Sequence, residues 1–408
     1  MENNNTKPFY NSAIPRDWKI KKLKEILIEG RLGGNYENAE ANLGVPVIKM
    51  GNLDRAAIKI DKIQYLPEKE NYNEEDVLKN GDLLFNTRNT LELVGKVAIW
   101  KNELPLAVYN SNLMRMKFDM NYVESTWYMN YAFNSHYGLS QLRGIATGTT
   151  SVAAIYGRDL ETIKFLLPPL PEQRAIAQVL SSMDTAINKN NQLIAQKELR
   201  KKWLMQNLLT GKKRLKGFSV DWEEYQLREI FSERNERNTN DLPLLSIGQN
   251  GVYPQDESIK KDTSNSDKSK YKRICKGDIG YNTMRMWQGR SALSELEGIV
   301  SPAYTILKPK QKSEALFFAY LFKTPKVINL FWRNSQGLVN DTLNCKYKDF
   351  SIVKVLLPKR EEQTAIAQVL QAADKEIQLL KAKTEKLRDQ KKGMMQVLLT
   401  GRKRLRVN

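Results

Sequence analysis

The chain repeats itself at a fixed offset. Glu172-Gln173-Arg174-Ala175-Ile176-Ala177-Gln178-Val179-Leu180 returns as Glu362-Gln363-Thr364-Ala365-Ile366-Ala367-Gln368-Val369-Leu370, and Met205-Gln206-Asn207-Leu208-Leu209-Thr210-Gly211 returns as Met395-Gln396-Val397-Leu398-Leu399-Thr400-Gly401. Both copies lie 190 residues apart with no gap, and 172–216 aligned on 362–406 gives 21 identities in 45 positions. A duplication of this length sets the architecture before any single motif does. At 408 residues the chain has room for two to three domains, each with its own core.

The repeated segments read as long helices. Stepping by four and three through the first gives Ile176, Leu180, Met183, Ile187, Asn190, Ile194, Lys197, Lys201, Leu204 and Leu208. The same register in the second gives Ile366, Leu370, Ala373, Ile377, Leu380, Thr384, Leu387, Lys391, Met394 and Leu398. Such a seam, sustained over about five heptads, predicts coiled-coil packing. Pro171 stands where a helix start tolerates proline, and Gly211 and Gly401 follow the last apolar turns, where a left-handed cap favours glycine. A lone helix with one apolar stripe is unstable in water, so the two copies are expected to pack on each other, antiparallel. The polar seam residues Asn190, Lys197 and Lys201 fit register setting or solvated ends as well as any functional role.

A second kind of segment precedes each helix. Asp17-Trp18 through Glu25-Ile26 matches Asp221-Trp222 through Glu229-Ile230, and Gly81-Asp82-Leu83-Leu84-Phe85-Asn86-Thr87 matches Gly277-Asp278-Ile279-Gly280-Tyr281-Asn282-Thr283. Asp159-Leu160 through Pro168 matches Asp349-Phe350 through Pro358, whereas the stretches between these anchors diverge in sequence and length. Strands are expected at 45–50, 82–87, 96–100, 106–109 and 113–118, with helices at about 122–135 and, in the second copy, about 313–330. The expected fold class is α+β: two α/β domains separated by two long antiparallel coiled-coil helices, with a pseudo-two-fold internal repeat. The parts run as an N-terminal tail (1–15), a first α/β domain (16–170), a long helix (171–216), a second α/β domain (217–360) and a second long helix (361–408).

Composition narrows the function. The net charge of +19, from 65 Lys and Arg against 46 Asp and Glu, points to a polyanionic partner, most often nucleic acid. The repeated helices carry +13 of it, ten against three over 172–216 and eleven against five over 362–408. No apolar run reaches membrane-span length and the first residues are polar, so a cytoplasmic protein with no membrane partner is expected. Two cysteines, Cys275 and Cys345, make neither a metal cluster nor a disulfide framework. No phosphate-loop glycine motif occurs, and Thr210-Gly211-Lys212-Lys213 lacks the upstream glycine. The one histidine, His136, belongs to a predicted helical stretch and has no evident partner. No catalytic residue, metal site or cofactor of this chain's own is expected, and a binding protein is.

The matched polar loops are the candidate contacts. Asn86, Thr87, Arg88, Asn89 and Thr90 follow one strand directly; Asn282, Thr283, Arg285, Trp287 and Gln288, with Arg290 beyond them, hold the same place in the second copy. Thr149, Thr150 and Ser151 match a loop, Gly337 to Asp341, that contains Asn340. Asn, Gln and Arg read purine edges bidentately in the major groove. The alternative for the shared Asn-Thr pair is a plain turn after a strand. Shared residues suit scaffold or phosphate contact and divergent ones base readout, which favours Arg88, Asn89, Arg285 and Gln288 for specificity.

The whole chain from Trp18 to Leu405 resembles the specificity subunit of a type I restriction–modification system. The resemblance rests on the order of two variable domains, each followed by a long helix opening with Leu-Pro-x-x-x-Glu-Gln, at Leu167 to Gln173 and Leu357 to Gln363. Val45-Pro46-Val47-Ile48-Lys49-Met50-Gly51-Asn52-Leu53 and Gly81-Asp82-Leu83-Leu84-Phe85 also look like this family's target-recognition domains, which adds Lys49 and Asn52 to the candidate DNA contacts. In the second copy the first stretch is altered to Leu242-Pro243-Leu244-Leu245-Ser246-Ile247-Gly248, and Gly280 replaces an apolar strand residue. The resemblance implies a non-catalytic subunit whose two target-recognition domains each read half of a bipartite site in double-stranded DNA. It implies that the helices dock two modification (methyltransferase) subunits, for which Gln173, Gln178, Gln363 and Gln368 are the candidate surface. Restriction (helicase/nuclease) subunits would complete the complex, with S-adenosylmethionine, ATP and Mg belonging to the partners. A stand-alone sequence-specific DNA-binding protein without enzyme partners is the alternative that the residues leave open.

Overall fold

Apolar strands and turn glycines repeat along each half of the chain, and they fold into the same sheet twice. The computed structural model describes residues 6–9, 12–37, 39, 44–68, 70–237, 239, 241–248, 251–257, 267–339 and 342–405. The chain divides into two units, residues 1–190 with 383–408, and residues 191–382. The first unit holds an antiparallel sheet in the order Val97–Ile99, Leu83–Asn86, Leu113–Phe118, Leu27–Leu32. The second holds Ser291–Leu293, Ile279–Asn282, Tyr304–Pro309, Phe231–Glu233 in the same order and sense. Four of the five expected strands form two or three residues shorter or a residue off at the ends; Leu113–Phe118 forms as expected. The matched opening and closing segments pair with each other, Lys19–Lys22 against Lys164–Leu167 and Glu223–Gln226 against Lys354–Leu357. Each unit is thus clasped shut just before its long helix begins.

Three differences have physical reasons. The stretch 1–15 is not wholly a tail: Thr6–Phe9 pairs antiparallel with Ser12–Pro15, and Ile14 is fully buried in the first core. The helix expected over 313–330 is two helices, Ala315–Leu321 and Pro325–Asn334. Proline disfavours helical geometry in the residue before it, and Thr324 is extended (ψ 141°) while Pro325 starts the second helix. The first copy breaks likewise, Thr126–Phe133 and then His136–Ile145, with Ser135 capping the Gly138 N–H at 3.1 Å. Gly280 stands where the first unit has the buried Leu84, because a Cβ there would lie 2.2 Å from Ile247 Cδ1. The smaller strand pair Leu245–Gly248 and Gly251–Pro254 lends Ile247 to fill that space.

The long helices run over Leu170–Leu208 and Arg360–Leu398, each starting one or two residues earlier than expected. Gly211 and Gly401 follow them in the left-handed region, at φ 71° and 72°. The first core takes Ile176 and Leu180 from the start of the first helix together with Leu398 and Leu399 from the end of the second. The second core takes Ile366 and Leu370 together with Leu208 and Leu209. Start meets end in both units, so the helices pair antiparallel. The lysines in the seam are ion-paired across it: Lys197 to Glu376 and Lys201 to Asp374 in the second unit, and Lys391 to Asp184 in the first. Cross-seam pairs of this kind suit register setting, a role a polar group in a seam can play.

Candidate nucleic-acid interface

The Asn-Thr pair that both copies share is framework. Asn86 is fully buried and its Oδ1 accepts from the Arg88 N–H at 3.1 Å; Asn282 Oδ1 accepts from the Met284 N–H at 2.9 Å. Both are turns closed by an asparagine on the backbone two residues on. Thr87 donates from its hydroxyl to the Asn112 carbonyl, and Thr283 does the same to the Ala303 carbonyl. Asn52 is corrected in the same way. Its amide donates to the Lys59 and Lys62 carbonyls and its oxygen accepts from the Lys49 N–H, so a buried side chain ties one loop together. Asn52 is spent within its loop, and the Asn86 amide nitrogen, though without a hydrogen-bond partner, is buried, so neither presents an edge at the surface. Lys49 spends its ammonium on Gln64 Oε1 at 2.7 Å.

The divergent residues come out differently. Arg88–Asn89 pairs antiparallel with Ala153–Ala154, which also pairs with Thr147–Gly148. The two loops singled out in the first copy thus form one small three-stranded sheet. Arg88, Ala154 and Thr147 face each other across it, and opposed residues of a ladder share a face. Ala153, on the other face, is buried, which leaves Arg88 on the open one. The hairpin between these strands exposes Thr149, Thr150 and Ser151, and the Leu91 N–H donates to the Thr150 carbonyl, bringing Thr90 beside them. The second unit repeats the arrangement: Cys345 N–H donates to the Thr283 carbonyl as Ile155 N–H does to that of Thr87, and Gln336 bridges Asn344. There Arg285 is half-buried, Gln288 and Arg290 are exposed, and Trp287 donates from its indole to the Met284 carbonyl. Arg88, Arg285 and Arg290 make no ion pair among the described residues. Asn340 lies outside the described residues.

On the helices the four glutamines split. Gln173 and Gln363 are not surface residues: each is at most 2% exposed. Gln173 accepts from the Glu124 N–H and donates to the Tyr122 and Pro168 carbonyls; Gln363 does the same with Glu314, Lys312 and Pro358. They staple a domain to its helix and are corrected from docking to framework, whereas Gln178 and Gln368 are exposed. Leucine at Gln173 strands a buried N–H and two carbonyls, with an expected loss of about 1–3 kcal/mol in urea unfolding. Unchanged stability of that variant would return Gln173 to the candidate surface.

Sequence reasoning missed two matched clusters. Glu172 accepts from Arg404 at 2.7 Å and from the Trp18 indole at 3.2 Å, and Arg404 also reaches Asp17; Glu362 is held by Arg214 at 2.6 Å. Asp184 takes Lys391 and the Tyr131 hydroxyl, and Asp374 takes Lys201 and the Tyr320 hydroxyl. Burial and the neighbouring aspartate push both phenols up, so they stay donors. The signal was present: Glu172, Asp184, Lys201 and Arg214 each recur with the same identity 190 positions on.

Both units match the family of the type I restriction modification DNA specificity domain, over residues 15–198 and 219–389. The chain belongs to this family. It is 25% identical to the MjaVIII specificity subunit of a type I restriction enzyme of Methanocaldococcus jannaschii, over 98% of this chain and 96% of the relative. It is 26% identical to the EcoKI specificity subunit of Escherichia coli over 44% of this chain and 40% of the relative. The crystal structure of a type I restriction–modification S subunit from M. genitalium has the same fold, with a TM-score of 0.62 at 14% identity over 98% of both chains. The chain is accordingly a DNA-binding specificity subunit with two target-recognition domains, and the role of such a subunit is recognition rather than catalysis. Among the described residues no helix is long and apolar enough to cross a membrane, and no cluster of three metal-ligating side chains occurs.

Proposed function

We propose that this specificity subunit directs a type I restriction–modification complex to a bipartite, asymmetric DNA site. The first recognition domain (16–170) reads one half and the second (217–360) the other. One observation carries this reading: the two units share strand order, closing clasp and Asn-Thr turn, and differ in the side chains those turns present. A common frame with two sets of exposed readers suits two unlike half-sites, as a heterodimer would. Arg88, Thr90 and the Thr149–Ser151 hairpin serve one half, and Arg285, Trp287, Gln288 and Arg290 the other; Asn89, opposite the buried Ala153, lies on the closed face and accepts from the Thr90 N–H. The exposed faces of the long helices, around Gln178 and Gln368, dock two modification subunits, to which restriction subunits add. S-adenosylmethionine, ATP and Mg act in those partners.

The test is a domain exchange. Residues 16–167 are replaced by the corresponding domain of a related specificity subunit, the complex is expressed, and methylated adenines are mapped across the genome. One half of the target changes and the other stays. Change in both halves, or in neither, refutes the division. Sequence-selective binding by the chain with no modification subunit present would favour a stand-alone DNA-binding protein instead.

A further inference from the structure

The first unit brings two arginines, Arg55 and Arg143, within reach of each other's charge and gives neither an acidic partner. Arg55 stands at the tip of a two-residue hairpin, Leu53–Asp54 against Ala57–Ile58. The turn is fixed: Ala56 takes the left-handed region at φ 60°, and its N–H donates to the Val97 carbonyl at 2.8 Å, on the edge strand of the sheet. A residue other than glycine holds that conformation only where its surroundings enforce it. The half-buried Arg55 guanidinium makes one long hydrogen bond, from Nη2 to the Glu92 carbonyl at 3.4 Å. Its Nη1 is out of water and has no acceptor. Asp54, the carboxylate next to it in sequence, is taken by Lys59 at 2.6 Å and by Lys96 at 3.7 Å. Burial, and then the Arg143 charge, push Arg55 down from the ordinary arginine range. Arg143 itself is exposed in the last turn of the helix His136–Ile145 and makes no ion pair among the described residues.

Arg143 lines a recess of about 560 Å³ together with Thr90, Leu91, Glu92 and Thr150. The Leu91 N–H donates to the Thr150 carbonyl at 3.2 Å, which ties the two loops that form its walls. The Thr90 and Thr150 hydroxyls make no hydrogen bond among the described residues. Glu92 is the one carboxylate on the recess, and it pairs with neither arginine. Resting on the DNA-reading role proposed above, we infer that this recess holds one backbone phosphate of the DNA beside the first half-site. Arg143 and the two threonine hydroxyls donate to it at the mouth, and Arg55 adds its charge from behind the Glu92 backbone. Two neighbouring cations without a pairing carboxylate repel each other in the free protein, and an anion drawn into the recess offsets that repulsion. Thr90 and Thr150 belong to the reading edge, and the anion that DNA brings to such an edge is the phosphodiester. It carries no sequence, so the contact positions the domain while the exposed side chains beside it face the bases.

The experiment uses the complex of this chain with its modification subunits and a duplex carrying the mapped target. In fluorescence anisotropy Arg143→Gln should weaken binding about tenfold and lower the slope of log affinity against log salt by about one. Arg55→Gln should act in the same direction and less strongly. Glu92→Gln, which removes the one carboxylate at the mouth, should tighten binding. All three variants should rank duplexes with single base changes in the first half-site as the parent does. Neutral methylphosphonates, placed one at a time along that half-site, should weaken the parent at one position to which Arg143→Gln is indifferent. An unchanged salt slope in Arg143→Gln, an altered base ranking, or a parent indifferent to every methylphosphonate overturns the inference. So does a recess that serves free phosphate: inorganic phosphate would then raise the urea midpoint of the parent but not of Arg143→Gln, with no methylphosphonate effect. Arg55→Gln should unfold in urea no earlier than the parent, since it removes a half-buried charge without an acidic partner; an earlier midpoint with unchanged DNA binding makes Arg55 a packing residue and overturns its part. Failure of the underlying reading looks different: the parent complex would show no preference for the mapped target over unrelated DNA.

Discussion

Aspartate at Leu180 should cost the first unit at least about 5 kcal/mol, enough to unfold it in mild denaturant. Leu180 is fully buried among Phe165, Ile176 and Leu398, where the first long helix meets the end of the second. The substitution removes a core side chain and places a carboxylate in a fully buried apolar cluster. A carboxylate in such a site either stays charged without solvation or takes up a proton, and both are unfavourable. Leu370→Asp should do the same to the second unit, whose core holds Leu370 in the equivalent place. Leu199→Asp is the control: the residue lies on the same helix but is 68% exposed, so its change should stay within about 0.5 kcal/mol. Urea unfolding followed by circular dichroism gives all three values. Equal losses at Leu180 and Leu199 would mean that the four-three seam does not mark the buried face.

The seam was readable because burial in a helix pair imposes a period, and a period survives in one sequence. Ile176, Leu180, Ile187 and Leu208 are all buried, and so are Ile366, Leu370, Ile377 and Leu398. The duplication likewise exposed which segments must share a fold. What the sequence hid was the fate of polar residues. Asn86 and Arg88 lie two positions apart in a loop rich in hydrogen-bonding groups, yet one closes a turn from inside the core and the other faces solvent. Composition cannot separate them, because the sorting depends on which strand arrives opposite. Gln173 misled for a related reason. Its recurrence as Gln363 signals a shared role, but a buried staple and a docking surface recur equally well. The helix break at Thr324 was written in the chain as Thr-Pro, and the apolar periodicity running across it masked the signal.

The second large effect is expected at Arg404. Its guanidinium holds Glu172, whose side chain is 3% exposed, and Asp17, which is half-exposed. The fork spans both: Nε lies 2.7 Å from one Glu172 oxygen, Nη2 lies 2.7 Å from the other, and Nη1 lies 2.9 Å from Asp17. Arg404→Ala leaves the Glu172 carboxylate buried with the Trp18 indole as its remaining side-chain donor, at an expected cost of about 3–5 kcal/mol. The position of Glu172 in the first turn of the long helix offsets part of that, since helix N-termini favour negative charge. Arg404→Lys keeps the charge but loses the fork, so it should fall between the two. Adding Glu172→Gln to Arg404→Ala removes the orphaned charge, and the double variant should be more stable than Arg404→Ala alone, although it lacks one more native group. That reversal separates a buried-charge penalty from simple loss of packing, which would make the double variant no better. Arg404 also holds the Asp17 carboxyl below its ordinary range. A carboxylate lowered on folding stabilises the native state above its unfolded pKa, so this contribution is present at neutral pH and fades on acidification through and below the ordinary carboxylate range. Arg404→Ala should therefore show a shallower loss of stability between neutral and acidic pH than the parent. Parallel pH profiles, or an Arg404→Ala variant within about 1 kcal/mol of the parent at neutral pH, would show that this cluster decorates the junction without holding it.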